Sequence, residues 1–258
     1  MRHKVVATAN VRAVMAAQRS NSARAAGQPG IDVIWAPTGW GKSWAMTWLA
    51  VQSGAVHVRA LRAWTPCEML RDICHELSIV PRNRCVPMIR DAVATLSATG
   101  RTLIVDEADY LARRGELLET LRDIHDLSTA PLILVGMEEF KASLMRYPQI
   151  AGRVAHWIEF QDNSIQDAQL VADERCEVKV GADLLRELHR QSGGSMRRLA
   201  AGLQQIELVA RRAGKGALAL PDWGDREFDF AEAPARRRRS IAPAAEDNAS
   251  PLRPVAAR

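Results

Sequence analysis

No stretch of this 258-residue sequence approaches the roughly 18 to 20 uninterrupted apolar residues that a membrane-spanning helix needs. The opening MRHKVVATANVRAVMAAQRS is broken by charges and holds no apolar block of the signal-peptide kind. These absences argue against a membrane role and predict a cytoplasmic chain. Cysteine is scarce. Cys67, Cys74, Cys85 and Cys176 show neither CxxC nor Cys/His ligand spacing, so neither zinc nor disulfides are expected and the four read as reduced thiols. No internal repeat is visible. The net charge is only +5, from 35 Lys+Arg against 30 Asp+Glu, with a pI of about 9.3. Most of the positive charge is arginine, which suits phosphate, so a polyanionic partner is permitted without being required.

With 47% apolar and 25% charged residues the composition is that of an ordinary globular protein, long enough for one core and a small second domain. Residues 1–28 read as a helical segment that ends in the Gly-Gln-Pro-Gly turn at 27–30. Short apolar runs at 31–35, 56–58, 103–105, 131–135 and 157–160 alternate with helix-compatible segments. One of these is TPCEMLRDICHEL, with Thr65 as cap, Pro66 at the first position and Glu68 in the first turn. That alternation predicts a parallel sheet covered on both faces over 29–162. Residues 163–220 turn wholly helical, with the stronger segments at 182–191 and 196–212. Residues 221–258, rich in Pro, Ala and charge and including Arg236 to Arg239, read as a disordered basic tail.

Two motifs carry chemistry. APTGWGKS, residues 36–43, fits the phosphate-loop pattern GxxxxGK[ST] with Ala36 in the first place, and it lies between an apolar strand and a helix. Here Thr38, Gly39, Trp40 and Gly41 would turn backbone amides toward an anion at the helix N-terminus. Lys42 would reach the β/γ-phosphates, and the Ser43 hydroxyl would take a place on Mg²⁺. The second motif is LIVDEADYL, residues 103–111, a buried strand ending in two carboxylates. Asp106 would hold Mg²⁺ through water and Glu107 would polarise the attacking water. Together they imply ATP and Mg²⁺ as ligands. The letters DEAD do not make a helicase, because the chain is too short for two RecA-like lobes.

In the order APTGWGKS, LIVDEADYL, LRDIHDL, LILVGMEEF, IAGRVAHWIEF and GGSMRRL, over about residues 28–212, the sequence resembles the AAA+ ATPases. Within them it is similar to the transposition target-selection proteins of the MuB, TnsC and IstB type, with the secretion ATPase ExeA as a relative. The resemblance implies an α/β P-loop NTPase, a parallel sheet flanked by helices, with a small C-terminal helical lid. It implies that Arg153, with Arg146 as fallback, reaches the nucleotide of a neighbouring subunit, and that Arg197, with Arg198 beside it, senses the γ-phosphate. Met137 stands at the first-sensor place, where Gln or Thr is common. That departure implies slow hydrolysis or a substitute contact from Glu138.

By the same resemblance the chain would be a DNA-stimulated ATPase in a bacterial or phage-infected cell. It would form a filament or ring on duplex DNA, bind without sequence preference and regulate a transposase. Arg59, Arg62, Arg82, Arg84, Arg113 and Arg114 are the candidate phosphate contacts. The alternatives are a replication initiator or clamp-loader-like ATPase, an ExeA-like assembly ATPase, and a nucleotide-dependent scaffold that hydrolyses little.

Overall fold

The computed structural model describes residues 1–2, 4–25 and 27–230. Five parallel strands, β1 (Ile31–Trp35), β2 (Val56–Arg59), β3 (Leu103–Asp106), β4 (Leu132–Gly136) and β5 (Val154–Glu159), form one sheet in the order β2-β3-β4-β1-β5. The three central strands are buried at every position, as strands covered on both faces must be, whereas the edge strand β5 has only partly exposed and exposed residues. One face is covered by α1 (Ala9–Ser22) and α2 (Lys42–Ser53), through Val11, Val14, Met46 and Leu49. The other is covered by α3 (Pro66–Glu76), α4 (Cys85–Thr99) and α5 (Gly115–Ser128), through Leu70, Ile73, Met88, Leu96 and Leu121. A 3₁₀ turn at Ala108–Arg113 follows β3, and the short helices α6 (Glu138–Leu144) and α7 (Pro148–Ala151) bridge β4 to β5.

The α3 start forms as expected. Thr65 Oγ1 accepts from the Glu68 amide while the Glu68 carboxylate accepts from the Thr65 amide, a reciprocal cap that stabilises the helix by about 1 kcal/mol. The cysteine expectation does not hold. Cys67 and Cys85 are joined in a disulfide with their Cα atoms 5.2 Å apart, and only Cys74 and Cys176 are free and buried. The pair is 18 residues apart in sequence and is brought together by the packing of α3 on α4, which no local spacing announces.

The lid comprises α8 (Ile165–Arg175), α9 (Ala182–Ser192), α10 (Met196–Arg212) and α11 (Leu220–Trp223), with a two-stranded pair β6 (Lys179–Val180) and β7 (Ala217–Leu218). Its core holds Leu184, Leu188, Leu199, Leu203 and Ile206 and extends to Trp223 and Phe228, past the boundary at 220 expected from sequence. Residues 1–8, apart from His3, which lies outside the described residues, form no helix. Val6 is buried in the lid core, and the Arg2 amide donates to the Arg175 carbonyl at 2.7 Å. The tail arginines Arg236 to Arg239 lie outside the described residues. Among the described residues, no helix is long and apolar enough to cross a membrane.

Candidate nucleotide-binding site

The C-terminal ends of β1, β3 and β4 meet the lid at a cavity of about 390 Å³. Thr38, Gly39, Gly41, Lys42 and Ser43 line it from the loop, and Asp106, Glu107 and Asp109 from the end of β3 and the turn after it. Gly39 and Gly41 hold φ of +90° and +92°, a region closed to residues with a side chain, so the turn that aims the loop amides depends on them. Burial pushes the Lys42 ammonium below its ordinary value, while the carboxylates of Asp109, Asp106 and Glu138 act the other way. Its Nζ donates to the carbonyls of Ala36 at 2.6 Å and Pro37 at 3.0 Å. Trp40 packs against the apolar core beneath α2 instead of lining this cavity.

Asp106 is buried, and its Oδ1 accepts from the Glu107 amide at 2.8 Å. Glu107 stands in the left-handed region with φ 56°, a conformation costly for a non-glycine residue. It is ion-paired to Arg59, which lies beside Asp106 on the neighbouring strand. Asp109 was not singled out from the sequence. Both of its carboxylate oxygens accept from the Met137 amide, at 2.9 and 3.0 Å, and burial pushes its pKa up. Met137 lines the cavity with its thioether, 3.7 Å from the Thr38 hydroxyl.

The lid supplies Arg197, Met196, Ala200 and Arg175 to the same cavity. The Gly39 carbonyl accepts from the Arg197 amide at 2.9 Å and from Ser195 Oγ at 3.2 Å, so the start of α10 is fastened to the loop. Arg198 turns away, over the ring of Phe230. Trp44 invites a stacking role but, four residues from Trp48 on one helix, reads as core, and a helix-terminal arginine such as Arg175 reads as surface.

Arg153 is elsewhere. Its carbonyl accepts from the Gly30 and Ile31 amides at the start of β1, roughly 13 Å of strand from the cavity end. Its Nε donates to Asp126 at 2.6 Å. It cannot serve the cavity of its own chain. Arg146 is exposed after α6. Of the six arginines expected at DNA, Arg59 is paired to Glu107, Arg82 to Asp91 at 3.0 Å, and Arg114 to the Trp64 carbonyl and Glu116. Arg62, Arg84 and Arg113 are exposed, with no carboxylate partner among the described residues.

Residues 24–144 match the AAA_22 family, whose description is AAA domain. The chain has the AAA+ fold. No curated protein matches it. Among solved structures it is similar to the ORC2 protein of Aeropyrum pernix in ADPNP-ADP complexes, at 17% identity and a TM-score of 0.66, over 84% of this chain and 67% of that one. The Aeropyrum pernix ORC1 protein in complex with DNA matches at 17% identity and a TM-score of 0.57, over 83% and 62%. Cdc6p of Pyrobaculum aerophilum matches at 15% and 0.54, over 73% and 59%. The chain thus spans from 59% to 67% of the length of these proteins, and at such identities the likeness is one of fold. In this AAA+ frame the cavity lies where the glycine-bent loop after β1, the end of β3 and the lid converge.

Proposed function

We propose that the chain binds ATP with Mg²⁺, hydrolyses it, and does so as an oligomer on duplex DNA that regulates transposition by choosing target DNA and activating a transposase. The convergence of Lys42, Ser43, Asp106, Glu107 and Arg197 on one cavity supports the nucleotide part of this reading, and the order of motifs from APTGWGKS to GGSMRRL supports the transposition part. The residues fit a nucleotide with its metal: a glycine-bent loop at a helix N-terminus, a half-desolvated ammonium, and a buried aspartate and a hydroxyl lining the same cavity. Among the described residues no three His, Cys, Asp or Glu gather to hold a metal alone, so Ser43 and Asp106 would hold Mg²⁺ jointly with phosphate oxygens. When bound, Mg²⁺ neutralises charge on the β- and γ-phosphates.

The chain's own groups divide the remaining work. Lys42 and Arg197 meet phosphate oxygens. Glu107 orients the attacking water once it leaves Arg59, and Asp109 fixes the Met137 amide at the cavity wall. A closed apolar slot next to the cavity, lined by Val6, Val11, Trp40, Trp44, Phe160 and Val171, has only about 10 Å³ of free space and would have to open by side-chain shifts to take a purine base. Arg153, remote from its own cavity, serves that of a neighbour, which ties hydrolysis to assembly. Arg62, Arg84 and Arg113 are the arginines best placed to track DNA phosphates, giving salt-dependent, sequence-tolerant binding.

A second reading, a replication-initiator-like ATPase, is favoured by the fold likeness to the ORC and Cdc6 proteins. ATP turnover measured with and without duplex DNA tests the shared part: DNA stimulation that disappears in Lys42→Ala supports it, and turnover indifferent to DNA counts against it. Imaging with DNA and a non-hydrolysable ATP analogue separates the two. A continuous helical array on any sequence supports the transposition regulator, and discrete complexes on particular sequences support the initiator.

A further inference from the structure

Arg175, the last residue of α8, lines the same cavity as Lys42, Ser43 and Arg197. Its guanidinium lies over the Trp44 ring, 4.4 Å from the centroid, and its only side-chain hydrogen bond among the described residues is a long one, 3.4 Å from Nε to the Arg2 carbonyl. No carboxylate pairs with it among the described residues, although burial is enough to depress its pKa. A partly desolvated guanidinium without an anion is costly unless a ligand brings the anion. Trp44 lies where the phosphate cavity joins the apolar slot, since it lines both. A nucleotide with its terminal phosphates at Lys42 and its base at the mouth of the slot passes its inner phosphates beside Trp44. The Arg197 charge instead acts on the Lys42 ammonium, at the end where the terminal phosphates would lie.

We propose that Arg175 is a nucleotide-binding residue that contacts the inner phosphates, with the Trp44 ring as the shelf that aims it. This rests on the nucleotide reading of the cavity. Arg175 then reads charge common to ATP and ADP, and Arg197 reads the charge that distinguishes them.

Calorimetric titration of the full chain with MgATP and MgADP tests it. Arg175→Ala should weaken both ligands by about 10- to 100-fold, the worth of a charge-assisted hydrogen bond. Arg175→Lys should recover only part of this, because an ammonium lacks the planar fork. Arg197→Ala should weaken ATP and spare ADP. If the wild type takes up neither nucleotide, the nucleotide reading falls and this proposal with it. If the wild type binds and Arg175→Ala stays within about twofold for both ligands, the role of Arg175 is overturned and the site stands. A loss confined to ATP overturns the assignment to the inner phosphates. Should Arg175→Ala lose its native circular dichroism, Arg175→Lys and Trp44→Leu decide: several-fold weakening of both nucleotides supports the proposal, and wild-type affinity in both variants overturns it.

Discussion

Replacing both Cys67 and Cys85 by serine removes a cross-link that ties the first turn of α3 to the first residue of α4. The native contacts between these helices do not depend on it, since Leu70, Ile73, Met88 and Leu96 are fully buried around the same seam. The loss should therefore act on the unfolded chain, which regains the freedom of a loop spanning 18 residues. On the loop-entropy relation that freedom is worth about 3 kcal/mol. Unfolding in urea, followed by circular dichroism under oxidising conditions, should shift its midpoint downward by about 1 M. Reduction of the wild type should give the same shift, and the native spectrum should be unchanged. Coincident midpoints for the oxidised wild type, the reduced wild type and the double serine variant would refute the reasoning, because the bridge would then constrain nothing that the packing does not already hold.

Glu107→Gln should keep MgATP binding in calorimetry and cut hydrolysis by about 100-fold or more, as loss of a group that works on the attacking water does. Arg59→Ala removes the partner that holds Glu107, so basal turnover should rise several-fold and the further gain on adding DNA should shrink; an unchanged basal rate rules out restraint by the ion pair. Burial holds His57 and His125 below the ordinary histidine value, so as pH falls through about 6.5 the unfolded chain takes up protons that the folded chain refuses. Stability should be complete above that pH and decline below it. His125→Asn should flatten the slope of Tm between about pH 7 and 5, and an identical slope would remove His125 from the account.

What the sequence revealed and what it hid divide along the distance over which residues act. The α3 cap was legible because Thr65, Pro66 and Glu68 act on one another within a single turn. Strands β1, β3 and β4 were legible because burial on both faces demands mostly apolar runs, broken within β1 only by the buried Asp32. The edge strand β5 begins at Val154, before the expected 157, since its half-exposed pattern is weak. Residues 1–8 read as helix from Val5 and Val6, yet their partners, Glu174, Arg175 and Glu207 among them, lie more than a hundred residues away and hold them out of a helix. The loop and the Asp106–Glu107 pair announced themselves through backbone requirements written into their own letters. Asp109 and Arg175 acquire meaning only where the chain folds them against Met137 and Trp44.

The hydrogen bond from the Arg197 amide to the Gly39 carbonyl runs from main chain to main chain. Truncating the Arg197 side chain leaves that tether in place. Kinetic defects in such a variant can accordingly be assigned to the missing positive charge, because the helical cap stays docked throughout.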